Sequence, residues 1–234
     1  MKIIGLDSSG LVASVALLED DKLIAEYTTQ FKKTHSQTLL PMLDEVIRRV
    51  DFRLDEVDLI SVAAGPGSFT GLRIGSATAK GLALALDKPI AAVPTVDALA
   101  LNVWGARGIV CPILDARRNQ VYTGLYHMEN GLEKLSAPLA VSVEELVEKL
   151  NALGEKVTFL GDGVPVYKEI LEEKLSVPCA FAPAGLNRQR AALVALAGRE
   201  MAKRGEVESG MEHAPMYLRK TQAEREREAR EKHA

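Results

Sequence analysis

Apolar and polar positions along this chain follow two periods. Residues 2–7 (Lys-Ile-Ile-Gly-Leu-Asp) form a short apolar run closing on a carboxylate, and Ser8-Ser9-Gly10 is turn chemistry. Residues 12–18 return as a second strand, Asp20-Asp21 turns the chain, and 22–29 alternates as a third strand. The period then changes. Leu39, Leu40, Leu43, Val46, Ile47 and Val50 recur at helical spacing, so an amphipathic helix is predicted over 37–50. Pro41 lacks the amide hydrogen a helix interior needs, which places the expected helix start shortly before it. A buried strand is expected at 58–64, a turn at Gly65-Pro66-Gly67-Ser68, a helix at 70–86 and a strand at 89–93.

The order then comes round again. Strand 109–115 leads through a polar turn at 116–119 into a returning strand at 120–127, with a third around 135–141. Ser142 and Glu145 have capping-box spacing for a helix. Strand 156–160 closes on Gly161-Asp162-Gly163, and a long helix is predicted over 189–203. Asp7 therefore matches Asp115, and Gly65-Pro66-Gly67 matches Gly161-Asp162-Gly163. This implies an α/β protein made by duplication, with lobes at 1–100 and 101–218, a boundary in 94–107, and an interleaved Arg/Glu tail at 219–234.

Composition narrows the function classes. The 234 residues are 47% apolar and 26% charged, enough for a sizeable core without metals or disulfides. A formal charge of −3 gives no overall basic field, so an RNA substrate would be held mostly by another subunit. Cys111 and Cys179 fit no metal or redox spacing. Asp7 interrupts the first apolar run too early for a signal peptide, and no stretch approaches the ~20 apolar residues of a membrane span. The expected location is cytoplasmic.

The candidate chemistry is sparse. Asp7, Ser8 and Ser9 sit at a hairpin tip that would face an interlobe cleft, where a carboxylate can hold a metal-bound nucleotide; a plain turn uses the same residues. Asp115 and Arg117 are the counterparts. Gly65, Gly67 and Ser68 lead from a strand into a helix N-terminus that could hold an anion, yet the stretch matches neither the P-loop nor the Rossmann glycine spacing. His35 precedes a helix and is read as ordering its turn. The histidines form no close pair, no nucleophile elbow appears, and no catalytic set or metal site emerges. Gly71, Gly75 and Ala79 fall four residues apart, a thin face that either internal packing or a partner could demand.

Several segments resemble the TsaB (YeaZ) family: Ile4-Gly5-Leu6-Asp7-Ser8-Ser9, His35-Ser36-Gln37-Thr38-Leu39-Leu40-Pro41, and above all Gly65-Pro66-Gly67-Ser68-Phe69-Thr70-Gly71-Leu72-Arg73-Ile74-Gly75. Lys80-Gly81-Leu82-Ala83, Val93-Pro94-Thr95, Asp115-Ala116-Arg117-Arg118 and Pro215-Met216-Tyr217-Leu218-Arg219 extend the likeness over nearly the whole chain. The resemblance implies duplicated ribonuclease-H-like lobes of the actin-like, Hsp70 and sugar-kinase ATPase superfamily. It also implies a complex with the catalytic paralogue TsaD and the ATPase TsaE that modifies tRNA with threonylcarbamoyl. TsaD carries a His-x-x-x-His metal pair where this chain reads Pro94-Thr95-Val96-Asp97-Ala98-Leu99-Ala100-Leu101-Asn102, so a non-catalytic subunit is expected. Docking would use Leu39, Leu43 and Arg48 on one helix and Gly71, Arg73, Gly75 and Ala79 on the next, with a homodimer through the same face when TsaD is absent. On this reading Gly75→Leu would weaken the heterodimer and leave the fold recognisable. No cofactor is expected on the chain alone, and ATP or ADP only in the complex. The rival readings are a small-molecule or acyl kinase of the same superfamily, a peptidase, and a direct RNA-binding module.

Overall fold

The structure, a computed structural model, describes residues 1–30 and 34–219. The charged tail expected at 219–234 falls outside the described residues except for Arg219.

The first lobe opens with β1 (Lys2–Asp7), β2 (Ala13–Glu19) and β3 (Lys22–Thr29), followed by α1 (His35–Arg49), β4 (Leu59–Gly65), α2 (Phe69–Leu86), β5 (Ile90–Pro94) and α3 (Thr95–Ala100). The second lobe runs β6 (Ile109–Asp115), β7 (Gln120–Thr123), β8 (Tyr126–His127), β9 (Glu133–Lys134), β10 (Leu139–Ser142) and α4 (Val143–Leu153). It ends with β11 (Val157–Leu160), α5 (Val164–Lys174), β12 (Cys179–Phe181) and α6 (Ala191–Lys203). The first sheet has the order β3-β2-β1-β4-β5 and the second β10-β7-β6-β11-β12. In each, an antiparallel meander of three strands is extended by two parallel ones. The predicted duplication is thus a repeat of topology, with the ribonuclease-H-like arrangement in both lobes. Gly65 and Gly161 end the equivalent strands β4 and β11 with φ of 126° and 111°.

Pro41 lies deeper in α1 than the expected start allows, at the seventh helical residue. The carbonyl of Gln37, which loses its partner there, belongs to an exposed residue, so solvent can satisfy it. The returning strand expected at 120–127 is broken at Gly124 and Leu125 into β7 and β8. The stretch expected as a boundary, 94–107, contains α3, whose six residues are all buried. A six-residue helix spans under two turns, and with its polar residues Thr95 and Asp97 buried as well it shows no amphipathic period to read.

α1 and α2 cover one face of the first sheet, where Leu39, Leu43, Val46, Ala79 and Ala83 join Ile4, Leu6, Val15 and Val62. α4 and α5 cover the outer face of the second. Between the sheets lie α3 and α6. Val194 and Ala195 of α6 pack with Ile3, Leu59 and Val93 of the first sheet. Leu193, Leu196 and Ala197 pack toward Val110, Leu114 and Leu160 of the second. α6, assigned by sequence to the second lobe, therefore closes the first lobe's sheet as well. After it, Glu208 pairs with Ile90 at 2.8 and 2.9 Å, and the chain runs back over α2. Among the described residues no helix is long and apolar enough to cross a membrane.

Candidate functional site: the interlobe cleft and the outer helix face

The cleft forms where the two equivalent hairpins face each other. β1 ends in Asp7, a fully buried carboxylate that accepts hydrogen bonds from the Ser9 amide (2.9 Å) and the Ser9 hydroxyl (2.7 Å). Burial pushes its pKa from 3.8 to about 6; the Ser9 bonds and nearby His35 pull the other way, and Asp162 adds to the rise. Asp162 follows β11 and accepts from the Asp115 amide at 3.0 Å; burial raises its pKa too. Asp115 accepts from the Arg117 amide (2.8 Å) and the Tyr167 hydroxyl (3.0 Å) and pairs with the Arg117 guanidinium at 3.1 Å. The Tyr167 hydroxyl is pushed up to about 12, by burial first and Asp115 second.

Of the residues expected in this cleft, Ser9, Gly67, Ser68, Asp115 and Arg117 line one space of about 490 Å³ together with Asp162, and Gly65 is not among its lining. Asp7 and Ser8 lie behind that lining, not in it. His35 bonds the Gly10 carbonyl at 2.8 Å, tying α1 to the hairpin tip, in line with its reading as an ordering residue. Sequence reasoning missed Gln189. Its side chain is 1% exposed, and neither amide atom has a partner. A Cβ on Gly10 would fall against that amide and 3.2 Å from Asp162 Oδ2, which places Gln189 directly behind the cleft wall.

The glycine-rich turn has a mechanical role. The Ser8 hydroxyl donates to the Gly71 carbonyl at 2.8 Å, and the Ser9 carbonyl accepts from the Ser68 amide at 2.7 Å. A Cβ on Gly71 would overlap the Ser8 carbonyl oxygen, and one on Gly75 would stand 2.6 Å from Ser8 Oγ. Backbone packs on backbone here, so the helix start is clamped to the hairpin tip.

That finding corrects the expected docking face. Gly71, Gly75 and Ala79 are buried against the chain's own hairpin and sheet, and Leu39 and Leu43 are core residues at 1% exposure. Only Arg48 and Arg73 of the expected set reach the surface. Arg48 pairs with Asp44 at 3.0 Å, and Arg73 donates to the Tyr217 hydroxyl at 3.2 Å. The exposed stripe of α2 is Thr70, Arg73, Ala77, Gly81 and Leu84, and that of α1 includes Gln37, Leu40, Asp44 and Arg48. Leu40 and Leu84 are 54% and 56% exposed.

The C-terminal segment borders this face. Lys80 donates to the carbonyls of Met211 (3.3 Å) and His213 (3.0 Å). Buried His213 is held between Glu208 (2.6 Å) and Ser76 (2.9 Å), and the Tyr217 ring stacks on Phe69 at 4.6 Å. Nothing in the spacing of His213 pointed to this anchor.

Comparison with known proteins identifies the architecture. Residues 22–227 match the family profile described as TsaD, tRNA N6-adenosine threonylcarbamoyltransferase. The tRNA threonylcarbamoyladenosine biosynthesis protein TsaB of Bacillus subtilis is 38% identical over 96% of both chains. The chain belongs to the TsaB family. The Escherichia coli TsaB is 31% identical over 74% of this chain and 76% of its own length. The solved structure of YeaZ from Pseudomonas aeruginosa superposes with a TM-score of 0.79 at 28% identity, covering 93% of this chain and 99% of that one. Its role therefore lies in tRNA threonylcarbamoyladenosine biosynthesis, and the cleft and helix face are features of a TsaB-family chain.

Proposed function

We propose that this TsaB-family chain is a non-catalytic docking and activating subunit for a TsaD-family transferase, acting when threonylcarbamoyl is placed on N6 of the adenosine beside the tRNA anticodon. The observation that carries the reading is the uncovered face of α1 and α2, where exposed Leu40 and Leu84 flank the small residues Ala77 and Gly81. A surface this thin lets another helix approach closely, and a paralogue with the same lobe architecture brings an equivalent helix pair. The helix after β5 supports the non-catalytic assignment. Its Asp97 is buried and committed to internal bonds, accepting from the Tyr126 hydroxyl at 2.8 Å and pairing with Lys134 at 2.5 Å. In this proposal TsaE joins the complex, ATP or ADP enters only there, the chain works in the cytoplasm, and without TsaD it pairs with itself through the same face.

The test uses Gly81, where a Cβ would meet nothing within 4 Å. Gly81→Arg adds bulk to the exposed stripe without disturbing the core, and a helix interior prefers Arg to Gly. Affinity for the TsaD-family subunit, measured on the co-purified pair, is expected to fall at least about ten-fold, roughly 1.4 kcal/mol, with the melting curve kept. Unchanged affinity overturns the docking face. Turnover of Mg–ATP by the isolated chain overturns the non-catalytic role in favour of a kinase.

A further inference from the structure

We propose that the arginine-bearing rim of the cleft is an RNA contact that receives the tRNA phosphate backbone beside the docked partner. This rests on the function proposed above, and concerns the rim only. Six side chains form it, linked by contacts and by a shared place in the cleft lining. Arg73 bonds Tyr217, Tyr217 stacks on Phe69, and Phe69 lines the cleft together with Arg219, Arg117 and Arg118. Arg219 closes the run by donating to the Ala116 carbonyl at 2.8 Å, next to Arg117.

Among the described residues, most of the charge on this rim has no carboxylate partner. Elsewhere Arg48, Arg49, Arg53 and Arg204 pair with carboxylates close by in the chain. Arg73, Arg118 and Arg219 have no carboxylate partner among the described residues. Arg117 has one, Asp115, whose side chain is only 14% exposed against 85% for the arginine. A protein of net charge −3 thus gathers four guanidinium groups along this rim, with Arg73, Arg117 and Arg118 exposed and Arg219 half-buried. Guanidinium matches phosphate with two parallel hydrogen bonds, and Tyr217, 40% exposed on top of Phe69, adds a ring against which a base can stack.

The backbone holds the strip outward at a conformational cost. Arg117, Arg118 and Asn119 have φ of 63°, 56° and 58°, three consecutive left-handed residues with side chains. The turn is held in that form by Asn119, which donates to both Glu144 oxygens at 2.8 and 2.9 Å, and by the Gln120 amide, which donates to the Arg117 carbonyl at 3.2 Å. Glycine would suit the backbone at Arg117 and Arg118 better, and would remove their charge.

That contrast supplies the experiment. The complex with the TsaD-family subunit is assembled with wild type, Arg118→Gly and Arg118→Lys, and tRNA affinity is measured against salt concentration. Glycine fits the left-handed backbone, so the fold survives; lysine keeps the charge. Arg118→Gly is expected to reduce the slope of log affinity against log salt by about 0.7–0.9 and to weaken low-salt binding on the order of five-fold, with lysine restoring most of both. Equal slopes in all three overturn the proposal, and so does loss of Mg–ATP binding in the glycine variant with RNA affinity intact. Assembly is read in the same samples, so a formed complex with unmoved RNA affinity sinks the rim alone. Should the wild-type subunits not assemble, the docking reading falls. The rim is then read on the isolated chain at low salt, where the same drop in slope supports it and a flat response overturns it.

Discussion

Asp7→Asn is expected to stabilise the folded chain above pH 7, although it replaces a carboxylate directly behind the cleft lining. The carboxylate is buried, and that burial raises its pKa from 3.8 to about 6. A rise of this size corresponds to about 3 kcal/mol, at about 1.4 kcal/mol per pKa unit. The sign follows from linkage. The folded state holds the Asp7 proton more tightly than the unfolded chain, so the group's contribution is fully favourable below about pH 4 and is lost as pH rises through about 6. Asparagine keeps an oxygen for the Ser9 amide and hydroxyl and never ionises. Urea unfolding between pH 4 and 8 measures the difference. Near pH 4 the two proteins should be about equally stable. At pH 8 the variant should lead by up to ~3 kcal/mol, and its stability curve should lack the decline between about pH 4 and 6. Parallel pH curves, or a less stable variant at pH 8, would refute the reasoning, because the Asp7 charge would then be compensated in the fold.

Gly75→Leu, expected from sequence to spare the fold, should instead destabilise it by about 3 kcal/mol, since its Cβ would stand 2.6 Å from Ser8 Oγ in the clamp between α2 and the hairpin. A melting temperature equal to wild type would contradict that placement. Ser142→Ala removes the N-cap of α4, where Ser142 and Glu145 form a reciprocal capping box, and should cost about 1 kcal/mol in denaturant unfolding with the binding face unaffected. A loss under about 0.3 kcal/mol would mean that the cap is redundant.

Much of the fold was legible because its periods are clean. β1, β3 and α2 fall within a residue of expectation, and the match of Asp7 with Asp115 holds as an equivalence of β1 and β6. What escaped notice lies between the sheets. The six residues of α3 are all buried, Thr95 and Asp97 included, so its polar positions mark no outward side. α6 was found as a helix, but a sequence does not say which sheet a helix covers when both of its sides are apolar. Gln189 was invisible for a different reason: a buried amide without partners carries no local signature, and only the approach of Gly10 and Asp162 gives it a place.

The proposed docking face shows why the candidate site was harder to read than the fold. α2 carries two stripes of small residues: Gly71, Gly75 and Ala79 on one side, and Ala77 and Gly81 on another. Both follow a four-residue spacing, and composition does not rank them. What ranks them is a contact distant in sequence, the Ser8 hydroxyl reaching the Gly71 carbonyl at 2.8 Å. That approach leaves no room for a Cβ at Gly71, where the Ser8 carbonyl oxygen sits, or at Gly75, where the Ser8 hydroxyl sits. The second stripe faces outward with no such internal demand, and at Gly81 a side chain would meet nothing. Glycine inside a helix costs about 1 kcal/mol relative to alanine. At Gly71 and Gly75 the hairpin clamp offsets that cost within the chain, whereas at Gly81 the described residues offer no offset. The docking proposed above would supply it, since a partner lying along α2 could approach closely only where that stripe stays small.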